Sequence, residues 1–281
     1  MSPTILKAEN IQITNVTALL YSRPGMGKTT ILGTLPGKTL ILDVDKGTLV
    51  LRGNKNVDVI RMSESLVELK EALVWLQSMK ELPYQNICID TLTELESGML
   101  TVYGRNGKND GAPERGHYNQ TQFKIMDYCR QFRSLNANII FTAWELQKEI
   151  VEKTGESYTQ CSPSLSGKCA DSIGGLCEMI GRITVSPKDN ERYIDFRGTA
   201  ERIAKDRLWK RAFCKYDELL TPPSETKTQS KPKGRSPKIR DEQDDLNESD
   251  YDGKRTSGYV EDVMLSCDRE EQDSKNYCTP N

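Results

Sequence analysis

The sequence has a single histidine, His117, and none of its eight cysteines forms a C-x-x-C pair. A zinc site of imidazoles and paired thiolates is therefore not expected. The regular spacing of Cys161, Cys169 and Cys177 reads as reduced thiols of an intracellular protein, not as a metal or disulfide framework. Apolar residues make up only 36% of the chain, low for a compact domain. No apolar run approaches the roughly 18 residues needed to cross a bilayer. Residues 1–10 lack a charged stretch followed by an apolar one, so no secretion signal is expected.

The apolar deficit is concentrated at one end. Residues 221–281 hold 11 apolar residues in 61 and contain no Ala, Phe or Trp. This predicts a globular domain over residues 1–220 and a disordered, charge-blocked tail over 221–281. Residues 227–240 carry six cations and no acid, and residues 241–252 carry seven acids and no cation. Such blocks suit solvation or partner contacts. The formal net charge of −2 says little about the domain, because the tail alone holds 10 cations and 14 acids.

Within the domain, apolar runs alternate with amphipathic stretches. Residues 16–21, 39–43, 86–90 and 138–142 read as buried strands. Leu66, Leu69, Leu73 and Leu76 recur at helical spacing. Leu92, Leu95 and Met99 begin a second helix, and Ile125, Cys129 and Phe132 suit a third. Residues 103–118, rich in Gly and Asn, read as a long loop. Residues 147–160, centred on Thr154-Gly155, read as a hairpin, and residues 179–185 and 192–196 as late strands. The expected fold class is α/β, a mostly parallel sheet with helices on both faces. In such sheets ligands collect beyond the carboxyl ends of the strands.

That edge carries the chemistry. Ser22-Arg23-Pro24-Gly25-Met26-Gly27-Lys28-Thr29-Thr30 lies between a strand and a helix. It departs from G-x-x-x-x-G-K-[ST] only by Ser22 at the first glycine. Backbone N–H groups around Gly27 would form an anion nest. Lys28 would bridge β- and γ-phosphates, and Thr29 would ligate Mg²⁺. The expected cofactors are ATP and Mg²⁺. Asp90 closes the third strand as the second metal-site residue, and it also suits a helix N-cap. Hydrolysis needs a further carboxylate to act on water. Asp43 and Asp45 are predicted to point the same way by strand alternation, and Asp45 is the expected base.

The order of these features resembles the RecA-type P-loop ATPase core. It is most similar to the short phage-encoded RecA-like ATPases, the Sak-type single-strand annealing proteins, over about residues 15–215. In that family the catalytic acid is usually Glu, and the matching residue is Asp45. The resemblance implies a γ-phosphate sensor region at the end of the fourth strand, with Thr142 and Glu145 as candidates. Lys205-Asp206-Arg207 resembles a Lys-x-Arg element that reaches a neighbouring subunit's triphosphate, which implies a homo-oligomeric ring or filament. It also places DNA at two loops. Residues 103–118 offer Arg105, Lys108, Arg115 and Tyr118; residues 147–170 offer Lys148, Lys153 and Lys168. Cations among aromatics suit a single strand.

The function so implied is an ATP-binding and ATP-hydrolysing, single-stranded-DNA-binding protein of phage recombination or strand annealing. It would act in the host bacterial cytoplasm, with no membrane partner and with a single-strand-binding protein as a further partner. Two alternatives remain: another RecA-core DNA motor, such as a helicase or helicase loader, and a nucleotide-gated DNA-binding module without significant turnover.

Overall fold

The computed structural model describes residue 5, residues 7–62 and residues 65–223. The chain divides into two units, Met1–Lys227 and Thr228–Asn281. The predicted tail from residue 224 onward, with its charge blocks, lies outside the described residues.

The apolar runs form the central strands β1 (Thr17–Ser22), β2 (Thr39–Asp43) and β4 (Asn86–Asp90), in which every residue is buried. Strand β3 (Val57–Arg61) follows β2, β5 (Asn138–Val151) follows β4, and β7 (Met179–Val185) lies further on. These six strands are parallel, in the spatial order β3-β2-β4-β5-β1-β7. Strand β5 thus stands between β1, which carries the phosphate loop, and β4, which carries Asp90. Strands β8 (Arg192–Asp195) and β10 (Phe213–Lys215) extend the sheet antiparallel beyond β7.

Helices cover both faces, as the alternation of elements predicts. On one face α2 (Ser65–Ser78), α3 (Leu92–Arg105), α4 (Arg115–Arg133) and α5 (Cys169–Leu176) bury Leu69, Leu73, Leu95, Ile125 and Phe132 against Leu19, Leu42, Ile89 and Phe141. On the other, the short helix α1 (Lys28–Leu32) and residues 208–220 pack Ile31, Leu32 and Leu219 against Leu20, Ile41 and Ile140. Alternate residues of one strand feed opposite cores, as the pleat requires.

Two expectations need correction. Residues 103–118 are not a long loop. Helix α3 continues to Arg105 and α4 starts at Arg115, leaving a connection over 106–114. Gly104 and Gly107 look like breakers, but Gly104 is needed for close packing: a Cβ there would lie 2.3 Å from the Gly111 carbonyl oxygen. The aromatic side chains of this region join the two helices, with Tyr103 stacked on His117 at 5.7 Å. Second, β5 runs well past Thr142 and pairs with β6 (Ser157–Pro163) as the expected hairpin, so its first half lies in the sheet and its second half extends away from it. Residues 169–176 are helical, and Cys161, Cys169 and Cys177 are, as expected, free thiols buried in the core. Burial pushes the Cys169 and Cys177 thiols up to about 12. Among the described residues no group of His, Cys, Asp and Glu could hold a metal ion by itself.

The segment after β8 is secured by Arg211. Its Nε donates to Asp206 Oδ2 at 2.7 Å, with side chains 7% and 0% exposed. The guanidinium also donates to the Glu218 and Leu219 carbonyls and stacks over Trp209 at 4.4 Å. Arg211→Ala strands a buried carboxylate and is expected to cost about 3 kcal/mol, whereas Lys210→Ala, an exposed position, should stay within about 0.5 kcal/mol of wild type. Urea unfolding midpoints of the two variants check this; equal midpoints would contradict it.

Candidate active site

The phosphate loop turns on two glycines. Gly25 and Gly27 take φ of +79° and +92°, a region open to Gly and costly for other residues. Ser22 fits where the pattern wants Gly because it is wholly buried and turns its hydroxyl onto the Arg23 carbonyl at 3.1 Å. Pro24 and Gly25 form the exposed crest, and a Cβ on Gly25 would meet nothing within 4 Å. Lys28 is buried, and its Nζ donates to the carbonyls of Ser22 and Arg23, both at a long 3.4 Å. Burial pushes its pKa down, against the opposing pull of Asp90, Asp45 and Glu145. Helix α1 has only five residues, so its macrodipole is small. An anion there would be held by local N–H groups and by Lys28.

Asp90 is fully buried at the end of β4. Its Oδ2 accepts from the Thr29 hydroxyl at 2.6 Å, and its Oδ1 accepts a short hydrogen bond from Thr142. The expected pairing of Thr29 with Asp90 is therefore direct. Burial raises the Asp90 pKa, and the two hydroxyls oppose that rise. Asp90 is not the helix cap: the Thr91 hydroxyl takes that place, accepting from the Glu94 N–H at 3.2 Å.

The Asp90 carbonyl accepts from the N–H groups of Val44 and Asp45, at 2.8 and 3.3 Å. This hangs the turn after β2 beside Asp90. Asp43 and Asp45 converge, but not by strand alternation, since β2 ends at Asp43. They converge because Gly47 N–H donates to both carboxylates at 3.0 Å. Asp43 is buried and also accepts from the Thr48 hydroxyl at 2.5 Å, so it shapes the turn. Asp45 is half-buried, and a Cβ built on Gly47 would lie 2.8 Å from its Oδ1 and 3.4 Å from Thr29 Oγ1. Burial, and then the Asp90 charge, push the Asp45 carboxyl up to about 6.

Residues 14–208 match the family described as an AAA domain. The chain belongs to that family. No curated protein matches it. Among solved structures, the crystal structure of the RadB recombinase is similar at 15% identity and a TM-score of 0.39, covering 66% of this chain and 82% of that one.

The residues of this AAA domain fit a magnesium nucleotide. Buried Lys28 has no ion-pair partner among the described residues, the crest of the loop is open, and Thr29 and Asp90 offer the hard oxygen donors that Mg²⁺ takes. Met26 and Thr30 complete the loop. The Met26 carbonyl accepts from Arg192 Nε at 3.1 Å, and a Cβ on Gly27 would lie 2.7 Å from that nitrogen. Arg192, on β8, therefore covers the loop from a distant part of the chain. Arg182, on β7, grips Glu145 through two hydrogen bonds of 2.7 and 3.0 Å. Sequence reasoning missed both arginines. One signal was available: Arg182 interrupts the apolar run Ile180-Gly181-Arg182-Ile183, and a charge inside a buried strand implies a partner.

Other expected site residues fall elsewhere. Glu145 is not a free sensor. Burial pushes its carboxyl up, but Arg182 and Gln147 hydrogen bonds outweigh this and hold it below the usual range. Lys205 opens β9 (Lys205–Asp206), which pairs with the start of β7. That start aligns with Ala18, at the end of β1 remote from the loop. Lys205 Nζ donates to the Gly174 carbonyl at 2.6 Å. Lys205 and Arg207 are therefore remote from their own chain's phosphate loop. The expected DNA residues sit on several elements. Arg105 ends α3 and lines a cleft of about 730 Å³ with Asp45, Lys46, Glu94 and Trp144. Lys108 lies in the connection, Arg115 and Tyr118 open α4, Lys148 and Lys153 are on the hairpin, and Lys168 precedes α5.

Asp45 gives a stability test independent of activity. Its folded pKa is raised, so the folded state holds this proton more tightly than the unfolded state. The stability this confers is full below about pH 4 and is lost as pH rises through about 6. Asp45→Asn, which mimics the protonated form, should stabilise the protein at pH 7 on the order of 1 kcal/mol after discounting for solvent. It should also flatten the pH dependence between pH 4 and 6. Thermal unfolding across that range checks this, and an unchanged or lower midpoint at pH 7 would contradict it.

Proposed function

We propose that this chain is a magnesium-dependent ATPase acting on single-stranded DNA in recombination or strand annealing. The observation that carries the ATPase reading is the position of Asp45, a carboxylate of raised pKa beside Thr29, Asp90 and the Lys28 charge. Loop N–H groups and Lys28 hold the phosphates. Arg192 adds a cation over the loop. Thr29, with Asp90 behind it, holds Mg²⁺, which when bound neutralises phosphate charge. Asp45 takes the proton of the attacking water. A base with a pKa near 6 is largely ionised at neutral pH and still basic enough to accept that proton.

The remote position of Lys205 and Arg207 argues against their acting in the site of their own chain. It favours supply to a neighbour's site, in a ring or filament. The DNA reading rests on the cations of the β5–β6 hairpin, on Arg105, and on the resemblance to the phage-encoded RecA-like proteins. The phage setting, the host cytoplasm and a single-strand-binding partner follow from that resemblance alone. Among the described residues no helix is long and apolar enough to cross a membrane. One observation favours a nucleotide-gated module instead: Asp45 is one methylene shorter than Glu and already accepts from Gly47.

An ATPase assay with and without single-stranded DNA separates these readings. DNA-stimulated turnover is expected, abolished in Lys28→Ala and reduced at least about 100-fold in Asp45→Asn, with ATP binding kept in Asp45→Asn. The rate should rise with pH through about 6 and then level off. Lys205→Ala should bind ATP but turn over slowly. Undiminished turnover in Asp45→Asn would remove it as the base, and absence of turnover under all DNA conditions would leave the gated module.

A further inference from the structure

The phosphate loop is tied to the β5–β6 hairpin through the Arg23 side chain. Arg23 is the first residue after β1. Its carbonyl lies 3.4 Å from the Lys28 ammonium, so its backbone borders the place where that ammonium meets phosphate. Its guanidinium crosses to the base of the hairpin. One terminal nitrogen donates to Gln147 Oε1 at 2.7 Å, and Nε lies 3.7 Å from Glu145 Oε1. Gln147 in turn donates to that same Glu145 oxygen at 2.8 Å. Glu145 and Gln147 both lie in the part of β5 that pairs with β6, opposite Pro163 and Cys161.

Two arginines thus share one carboxylate, and they are not equivalent. The Glu145 side chain is 1% exposed and the Arg182 side chain 25%, and they meet in two short hydrogen bonds. Such a bidentate, sheltered pair is strong. The Arg23 side chain is 64% exposed and its approach to Glu145 is long, which marks a weak ion pair. Glu145 therefore stays with Arg182, and Arg23 is the partner that exchanges. The junction carries one positive charge in excess of its carboxylate, so added anionic charge beside Lys28 is attracted to the guanidinium held most loosely.

We propose that Arg23 is a positioning residue that reports the terminal phosphate to the hairpin: a triphosphate on the loop draws its guanidinium away from Gln147 and Glu145, and the hairpin base loosens. This rests on the reading that the loop binds a nucleoside triphosphate. A diphosphate lacks the terminal charge and leaves the contact in place. By reciprocity, a strand that binds the loosened hairpin raises triphosphate affinity by the same factor. The hairpin carries Lys148 and Lys153, so single-stranded DNA is the ligand with which that factor is read.

Amide hydrogen exchange over residues 144–163 of the full chain tests this, with a non-hydrolysable ATP analogue or ADP, and with binding of each measured separately by titration. In the wild type the analogue should speed exchange at the hairpin base several-fold, and ADP should not. Gln147→Ala should bind the analogue within about threefold of wild type, show fast exchange without nucleotide, and respond no further. Arg23→Gln should likewise not respond. A wild-type hairpin indifferent to bound analogue, or an Arg23→Gln hairpin that responds like wild type, overturns the proposal. A wild type that binds neither nucleotide overturns the nucleotide reading itself, and the proposal falls with it.

Discussion

The Asp90 carboxylate, held between the hydroxyls of Thr29 and Thr142, is the contact on which the rest of the site depends. An unpartnered buried charge is expensive, so this carboxylate requires donors on both oxygens. Thr29 supplies one from α1 and Thr142 the other from β5. Only a sheet that places β5 between β1 and β4 brings these three residues together. The Asp90 backbone then reaches the other way and holds the turn that presents Asp45. One residue thereby sets the relative positions of the phosphate loop, the end of β5 and the candidate base.

The electrostatics follow from that crowding. Asp43, Asp45 and Asp90 gather at one edge, and Asp90 and Asp45 both face Lys28. Burial raises both Asp45 and Asp90; the Asp90 charge adds to the rise of Asp45, and Asp43 adds to both. Shifted carboxylates gathered in a cleft are common at sites that act on a ligand. Arginines lie on the far side of the loop: Arg23 from the loop itself, Arg182 from β7 and Arg192 from β8. The loop therefore sits between an acidic edge suited to a divalent cation and a basic rim suited to phosphate.

Much of this could be read locally. The phosphate loop, the Asp90 strand end and the alternation of strands with helices each lie within a few residues of sequence, and the structure keeps all three. What escaped was either non-local or disguised. Arg192 meets Met26 across 166 positions, and Arg182 meets Glu145 across 37, so no sequence window contains either pair. Gly104 and Gly107 disguised the end of helix α3 as part of a loop, because close packing and a turn call for the same residue. Strand β3 is an edge strand, half-buried to exposed, and lacks the apolar run that marked its neighbours. Asp43 and Asp45 do converge, but because of the Gly47 N–H and not because of the pleat.

The most direct test of this account is the magnesium dependence of triphosphate binding, measured by calorimetric titration in the wild type and in Asp90→Asn. If the Thr29–Asp90–Thr142 contact organises the site, the wild type should bind ATP at least about tenfold more tightly with Mg²⁺ than without. Asp90→Asn, folded and with its hydroxyl partners in place, should lose that difference. Equal magnesium dependence in the two proteins would contradict the central place given to Asp90.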